Sequence, residues 1–375
     1  MNSPDPIQLT RALLNFNTIN PPGLEYNCAQ YLAGMLSAVG FQVASYEFAP
    51  QRTSIIARLQ GVSDRPPLCF TGHLDTVPLG ATPWQYDPFA GETAGDRLYG
   101  RGATDMKGGV AAMVATGIQL GQLPELKAGL VLVITAGEET CLQGAYHLAS
   151  LEGVLGTAGA IVVGEPTGNY PWIGHKGVVR FEITLRGVTA HASMPEEGIN
   201  AIHKGAAAVL KLQDYQFQVM PHPLLGKPTL NIGTIAGGLN INSVPDRCVL
   251  GIDIRTIPGQ DHQSIQAELQ ALLGPEAEIK LIEQAPSIAS PSQDQWLETV
   301  FGITAPYLPH PPTPQGAPFV TDAAVLRPAY GNPPTVILGP GEPTLAHKTD
   351  EYCHLSKIRA ITEIYRQIAE AWCLA

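Results

Sequence analysis

Five short segments hold the side chains with which this chain could do chemistry. In Thr71-Gly72-His73-Leu74-Asp75-Thr76-Val77-Pro78 a histidine and a carboxylate stand two residues apart, which at a strand end turns both to one face. A carboxylate so placed suits the orientation of a metal-binding imidazole, whose tautomer and basicity it sets. A polar turn closed by Pro78 accounts for the same residues without any chemistry. Asp105 lies in Tyr99-Gly100-Arg101-Gly102-Ala103-Thr104-Asp105-Met106-Lys107-Gly108-Gly109. A helix cap explains that aspartate alone, but not the glycines on both sides, which permit an unusual backbone path. Glu138 and Glu139 follow the apolar run Leu130–Thr135. Adjacent side chains diverge, so one carboxylate can bind a metal while the other stays free as a base; solvated surface is the plainer reading. Glu165 follows Ala160–Val163 in the same way, and His347 lies beyond Thr335–Leu338 in Ala346-His347-Lys348-Thr349-Asp350-Glu351-Tyr352. Open α/β sheets bind ligands at the carboxyl ends of their strands, and these acids and histidines fall at such ends.

The elements that must position them are legible in outline. Leu24 to Val39 has helical spacing and stops at Gly40. Gln42–Phe48, Ser54–Leu59, Leu68–Thr71, Leu130–Thr135 and Ala160–Val163 are short apolar runs, with a helical pattern over Met106–Leu120 between them. Runs that do not alternate, separated by helices, predict strands buried on both faces of an α/β sheet. From Val178 the texture changes. Phe181–Arg186 alternates apolar with polar, as a half-solvated strand does. A helix (Ala201–Leu212), strands Thr229–Ile235 and Cys248–Ile254, a helix (Ser264–Leu273) and a strand (Glu278–Ile282) follow, the βαββαβ order of a ferredoxin-like unit. The proline-rich Ala305–Pro318 reads as a loop, and Leu355–Trp372 as a last helix. The expected organisation is a larger α/β domain over residues 1–176 and 291–375, with a smaller domain inserted at 177–290.

Composition narrows the function. The chain has 375 residues, 45% hydrophobic and only 15% charged, with a formal net charge of −11. That balance counts against nucleic-acid binding, which usually needs a basic patch. The longest uncharged stretch, Gly108 to Pro124, is interrupted by Gly and Gln and falls short of the ~20 apolar residues that span a bilayer. No leader-like segment opens the chain, and six scattered cysteines without a CxxC pair suggest reduced, buried thiols. The expectation is a soluble cytoplasmic protein. There is no G-x-S-x-G, HExxH or Walker A, and Gly100–Asp105 misses the third glycine of a dinucleotide fingerprint.

HLDTVP, YGRGATDMKGG, GEET, GEPT and AHKTDEY, in that order, resemble the dinuclear zinc peptidase family M20, in particular its acetylornithine deacetylase and succinyl-diaminopimelate desuccinylase group. The motifs run from residue 71 to 352. The resemblance implies an α/β zinc-peptidase-like catalytic domain with an inserted ferredoxin-like lid domain that mediates homodimerisation. It implies two Zn²⁺ per chain, with Co²⁺ as a possible substitute. His73 and Glu165 would bind one ion, Glu139 and His347 the other, and Asp105 would bridge them. Asp75 would orient His73, and Glu138 would be the general base. Three ligand carboxylates against two Zn²⁺ leave one positive charge, and a metal pair activates water and polarises a carbonyl. In the inserted domain His191 (Thr189-Ala190-His191) matches the oxyanion-stabilising histidine. Asn242 (Asn242-Ser243-Val244-Pro245) and Arg255 (Asp253-Ile254-Arg255) match substrate contacts, Arg255 suiting a carboxylate. Thr321 stands in the substrate loop, where Val320 replaces the family's usual glycine.

His175-Lys176-Gly177, Pro228–Gly233 and GPGEPTLAHKTDEY look most like the acetylornithine deacetylases of the family, and that resemblance implies an N-acyl-L-amino acid substrate, N-acetyl-L-ornithine first, and so arginine biosynthesis. The alternatives are N-succinyl-L,L-diaminopimelate, then a carboxypeptidase or aminoacylase role. A non-catalytic binding protein on the same fold is disfavoured by the intact Glu138 and ligand set.

Overall fold

The computed structural model describes residues 4–375. They divide into two compact units, one of residues 4–174, 289–316 and 321–375, the other of residues 175–288 and 317–320.

The larger unit is built on a six-stranded sheet. Its order is Gln42–Ala49, Arg52–Leu59, Leu130–Thr135, Leu68–His73, Ala160–Val163 and Thr335–Ile337. The first two form an antiparallel hairpin that joins the sheet antiparallel, and the last four run parallel. Those four are buried along their whole length, as continuous apolar runs require when helices cover both faces. The register matters for the site. His73 is opposite Thr135, and Thr71 is opposite Val163, so the chain beyond Val163 brings Glu165 level with His73.

The helix Gly108–Gly121 is buried on all sides, which fits its near-total lack of polar residues. It packs on the last helix, Leu355–Cys373, which is amphipathic instead. Ile358, Ile361, Tyr365, Ile368 and Trp372 recur at spacings of three and four and face inward. Helix starts follow the sequence: Asp5, Asn200, Asp261 and Asp294 each accept backbone N–H groups as N-caps. All six cysteines are free, and five are buried.

Several elements were not foreseen. The strands Thr93–Ala94, Arg97–Tyr99 and Tyr352–His354 form a small sheet, with Tyr352 opposite Tyr99. The helix expected over Leu24 to Val39 spans Tyr26–Ser37, and a further helix, Pro6–Leu14, precedes it. The short helices Gln143–Ser150, Gln295–Thr304 and Ala323–Ala329 were also missed.

The smaller unit has a four-stranded antiparallel sheet in the order Thr229–Gly237, Arg247–Thr256, Gly177–Arg186, Ala277–Ala285, the ferredoxin-like arrangement. Val179, Phe181, Ile183 and Leu185 form its core with Leu250, Ile252, Ile254, Ile265 and Leu269. The alternating strand is therefore not an edge: it is paired on both sides. One exposed edge is Thr229–Gly237, where Ile235 stands half in solvent.

Candidate metal centre

The centre lies at the carboxyl ends of the parallel strands. His73 closes its strand, and its Nε2 is 3.2 Å from Asp105 Oδ1 and 3.6 Å from Glu165 Oε1. His347 Nε2 is 3.3 Å from Asp105 Oδ2 and 3.1 Å from Glu139 Oε1. One oxygen of Asp105 thus faces each histidine. Glu138 and Glu139 diverge. The ligand atoms of His73, Asp105 and Glu139 lie within 4.8 Å of one another, as do those of His73, Glu138 and Glu165. Either group could hold a cation.

The local backbone explains how Asp105 reaches this position. It is not a helix cap. It belongs to a distorted turn over Ala103–Lys107, with φ −127 and ψ 93 of its own, and the regular helix starts only at Gly108. Gly102, just before the turn, has φ +92, and a Cβ there would meet Thr76 Cγ2 at 2.7 Å. Gly109 lets the helix start approach the Glu165 loop, since a Cβ would meet the Gly164 carbonyl oxygen at 2.3 Å.

Asp75 does more than the histidine contact suggests. His73 Nδ1 is 2.9 Å from the Asp75 backbone oxygen and 3.6 Å from its carboxylate. The carboxylate, fully buried, instead accepts the N–H groups of Glu138 (3.0 Å) and Glu139 (3.1 Å) and the side-chain amide of Asn20 (2.9 Å). Asp75 therefore fixes the turn that carries both glutamates. Asn20 belongs to no motif, and nothing in the sequence marked it.

So many buried acids perturb one another. Burial pushes the Glu138 and Glu165 carboxyls well above the usual range, and Glu139 rises for the same reason. Burial would raise Asp105 too, but hydrogen bonds to His347 and His73 hold it well below. The bonds to Asp105 and then Glu139 push His347 up to about 10. Burial opposes protonation of His73, yet its bonds to Asp105 and Asp75 outweigh it and the net shift is upward.

Thr321 and Asp322 divide unexpectedly. Thr321 is wholly buried and its hydroxyl accepts the Ala323 N–H at the start of a helix. Its neighbour Asp322, 2% exposed, accepts the Thr135 hydroxyl at 2.5 Å and is pushed up to about 6, chiefly by burial. It adds negative charge near Glu138 and Glu165.

The remaining predicted residues lie in the smaller unit. His191 and Asn242 sit on adjacent backbone segments, joined by an Ala192 N–H to Asn242 O bond of 3.0 Å. His191 is exposed, and its Nδ1 accepts the Ser193 N–H at 3.1 Å. In the neutral ring the proton is then on Nε2. Arg255 is already paired: Nε and Nη2 donate to both oxygens of Asp253, which Arg180 shares. Among the described residues, no helix is long and apolar enough to cross a membrane.

Comparison with known proteins agrees with this architecture. Residues 69–371 match the model of peptidase family M20/M25/M40, and the chain belongs to that family. A probable succinyl-diaminopimelate desuccinylase from Staphylococcus epidermidis is 28% identical, covering 99% of this chain and 98% of the relative. An acetylornithine deacetylase from Salmonella arizonae is 29% identical, covering 91% and 90%. Among solved structures, an M20 metallo-carboxypeptidase from Sulfolobus solfataricus aligns with a TM-score of 0.79 at 17% identity, covering 98% and 99%. A dinuclear metal-binding M20 peptidase from Bacillus subtilis aligns at 0.72 and 18%, covering 97% and 96%. The α/β fold expected from the sequence is that of the family.

Proposed function

We propose that this protein is a dinuclear zinc amidohydrolase that cleaves the amide bond of an N-acyl-L-amino acid. The observation that carries the reading is the position of Asp105, whose two oxygens face His73 and His347 separately. The donor set, imidazole nitrogen and carboxylate oxygen, suits Zn²⁺ and tolerates Co²⁺. His73 and Glu165 would hold one ion, Glu139 and His347 the other, with Asp105 shared. A bound metal pair supplies Lewis acidity for the scissile carbonyl and lowers the pKa of water.

The chain's own residues do the rest. Glu138, anchored through its backbone by Asp75, takes the proton of the attacking water and delivers it to the leaving nitrogen. Asp75 sets His73 through the backbone oxygen and the nearby carboxylate. His191, with its proton on Nε2, donates to the oxyanion of the tetrahedral intermediate. The ferredoxin-like unit serves as a lid and pairs two chains into a homodimer, and Asn242 contacts substrate. Arg255 would receive a substrate carboxylate on guanidinium N–H groups that Asp253 does not occupy.

N-acetyl-L-ornithine is the first substrate to test, on the strength of GPGEPTLAHKTDEY and His175-Lys176-Gly177. N-succinyl-L,L-diaminopimelate is the second, and the identities of 28% and 29% to named relatives do not separate the two. Zinc-loaded protein is to be assayed against both, with N-acyl amino acids and dipeptides beside them. Acetate released from acetylornithine at the highest kcat/KM supports the first choice. Turnover of dipeptides alone would overturn the N-acyl assignment.

A further inference from the structure

Arg101 and Glu351 form an ion pair at 2.6 Å, each side chain 1% exposed. The Glu351 carboxylate also accepts the N–H groups of Gly102 (3.1 Å), Thr104 (2.8 Å) and Asp105 (3.0 Å). Arg101 Nη2 donates to the Pro78 carbonyl at 3.0 Å and reaches that of His347 at 3.5 Å. One buried pair thus ties together the segment after His73, the turn that carries Asp105 and the loop that carries His347. An ion pair at this depth adds little net stability, since an apolar pair of similar volume often serves as well. Its bonds are better explained by the geometry they impose.

The two histidines depend on it unequally. His73 ends a strand paired on both sides inside the main sheet, so its backbone is fixed without help. His347 lies in a loop, with φ +65 and a side chain 53% exposed. Its anchors are the Arg101 contact, the Asp350 carboxylate bonded to the Gln85 and Tyr86 N–H groups, and the pairing of Tyr352 with Tyr99 just beyond Glu351. The Asp105 backbone is held directly by Glu351.

We propose that Arg101 and Glu351 are positioning residues for the metal pair that weigh more on the position formed by Asp105, Glu139 and His347, where they hold two ligands, than on the one formed by His73, Glu165 and the shared Asp105, where they hold one. The inference rests on the dinuclear reading above. Wild type, Glu351→Gln, Glu351→Asp and Arg101→Lys are to be stripped of metal and titrated with Co²⁺ by visible absorption and with Zn²⁺ by equilibrium dialysis. Near-UV circular dichroism shows which variants are folded. Glu351→Asp keeps the charge but draws the carboxylate back, and it decides the matter if the Gln form does not fold. The expected result is two ions on wild type; on folded variants the second is weakened ~10–100-fold, the usual effect of losing a residue that orients a ligand, and the first, which shares only Asp105, distinctly less. Excess metal should restore kcat with KM unchanged. Equal loss at both positions, or none in a folded variant, overturns the inference while the dinuclear reading stands. A wild-type protein that binds no metal overturns both.

Discussion

Replacing Asp75 by asparagine removes one negative charge and leaves the shape of the side chain intact. The carboxylate of Asp75 accepts Asn20 Nδ2 and Glu139 N on one oxygen and Glu138 N on the other. An asparagine oxygen in the first position keeps two of these bonds. Its NH₂ then faces the Glu138 N–H, donor against donor, in a site with no solvent exposure. Hydrogen bonds to charged groups contribute about 1.5–3 kcal/mol, and an orphaned buried donor costs about 1–3 kcal/mol. These overlap, so the expected loss is ~2–4 kcal/mol, large for an isosteric change. Metal affinity should fall ~10–100-fold as His73 loses its acidic neighbour, and kcat should fall because the turn carrying Glu138 is loosened. Denaturant unfolding of the stripped and loaded forms, with kcat beside it, reads all three effects. The m-value should be unchanged, marking a true stability loss. A loss below ~0.5 kcal/mol, the scale of an ordinary surface change, with kcat intact would refute the role assigned to Asp75.

Glu138→Gln should keep its metal content while kcat drops by at least ~10²-fold, the scale of a positioned general base; if Glu138→Gln loses metal and Glu139→Gln does not, the two roles are reversed. In the metal-free protein, Glu138, Glu139, Glu165, His73 and His347 all have folded pKa values raised above their unfolded ones. Through these groups the folded state holds more protons, and the stability they contribute declines as pH rises, from about the unfolded glutamate value of 4.5 up through about 10 for His347. A Tm of stripped protein that rises between pH 5 and 9 would contradict this. Zinc binding at pH 7 should release protons, countable by calorimetry in buffers of different ionisation enthalpy. Mixing inactive His191→Ala with inactive Glu138→Ala should restore activity if His191 serves a partner chain, and exchanging dimers that recover nothing would show that His191 serves its own chain or is not catalytic.

The parallel strands were legible because burial on both faces leaves an unbroken apolar run, and Leu130–Thr135 and Ala160–Val163 begin and end where the runs do. The small sheet of Arg97–Tyr99 and Tyr352–His354 was not, because two- and three-residue strands show no period and their partners lie some 250 positions apart. The alternation of Phe181–Arg186 correctly marked two unlike faces, but alternation says nothing about neighbours, and the strand is central. The acids and histidines around Asp105 could be picked out because their residue types and strand-end placement are unusual together. The groups that hold them could not. Asn20, Arg101 and Glu351 are ordinary residue types whose importance comes from burial and from partners remote in sequence. Thr321 was singled out by motif, and its hydroxyl accepts the first N–H of a helix.

Anomalous diffraction at the zinc edge, from crystals of the zinc-loaded protein, tests the dinuclear centre most directly. The account predicts two peaks, one among His73, Asp105 and Glu165 and one among Asp105, Glu139 and His347, with Asp105 in contact with both. A single peak, or two that do not share Asp105, would contradict it.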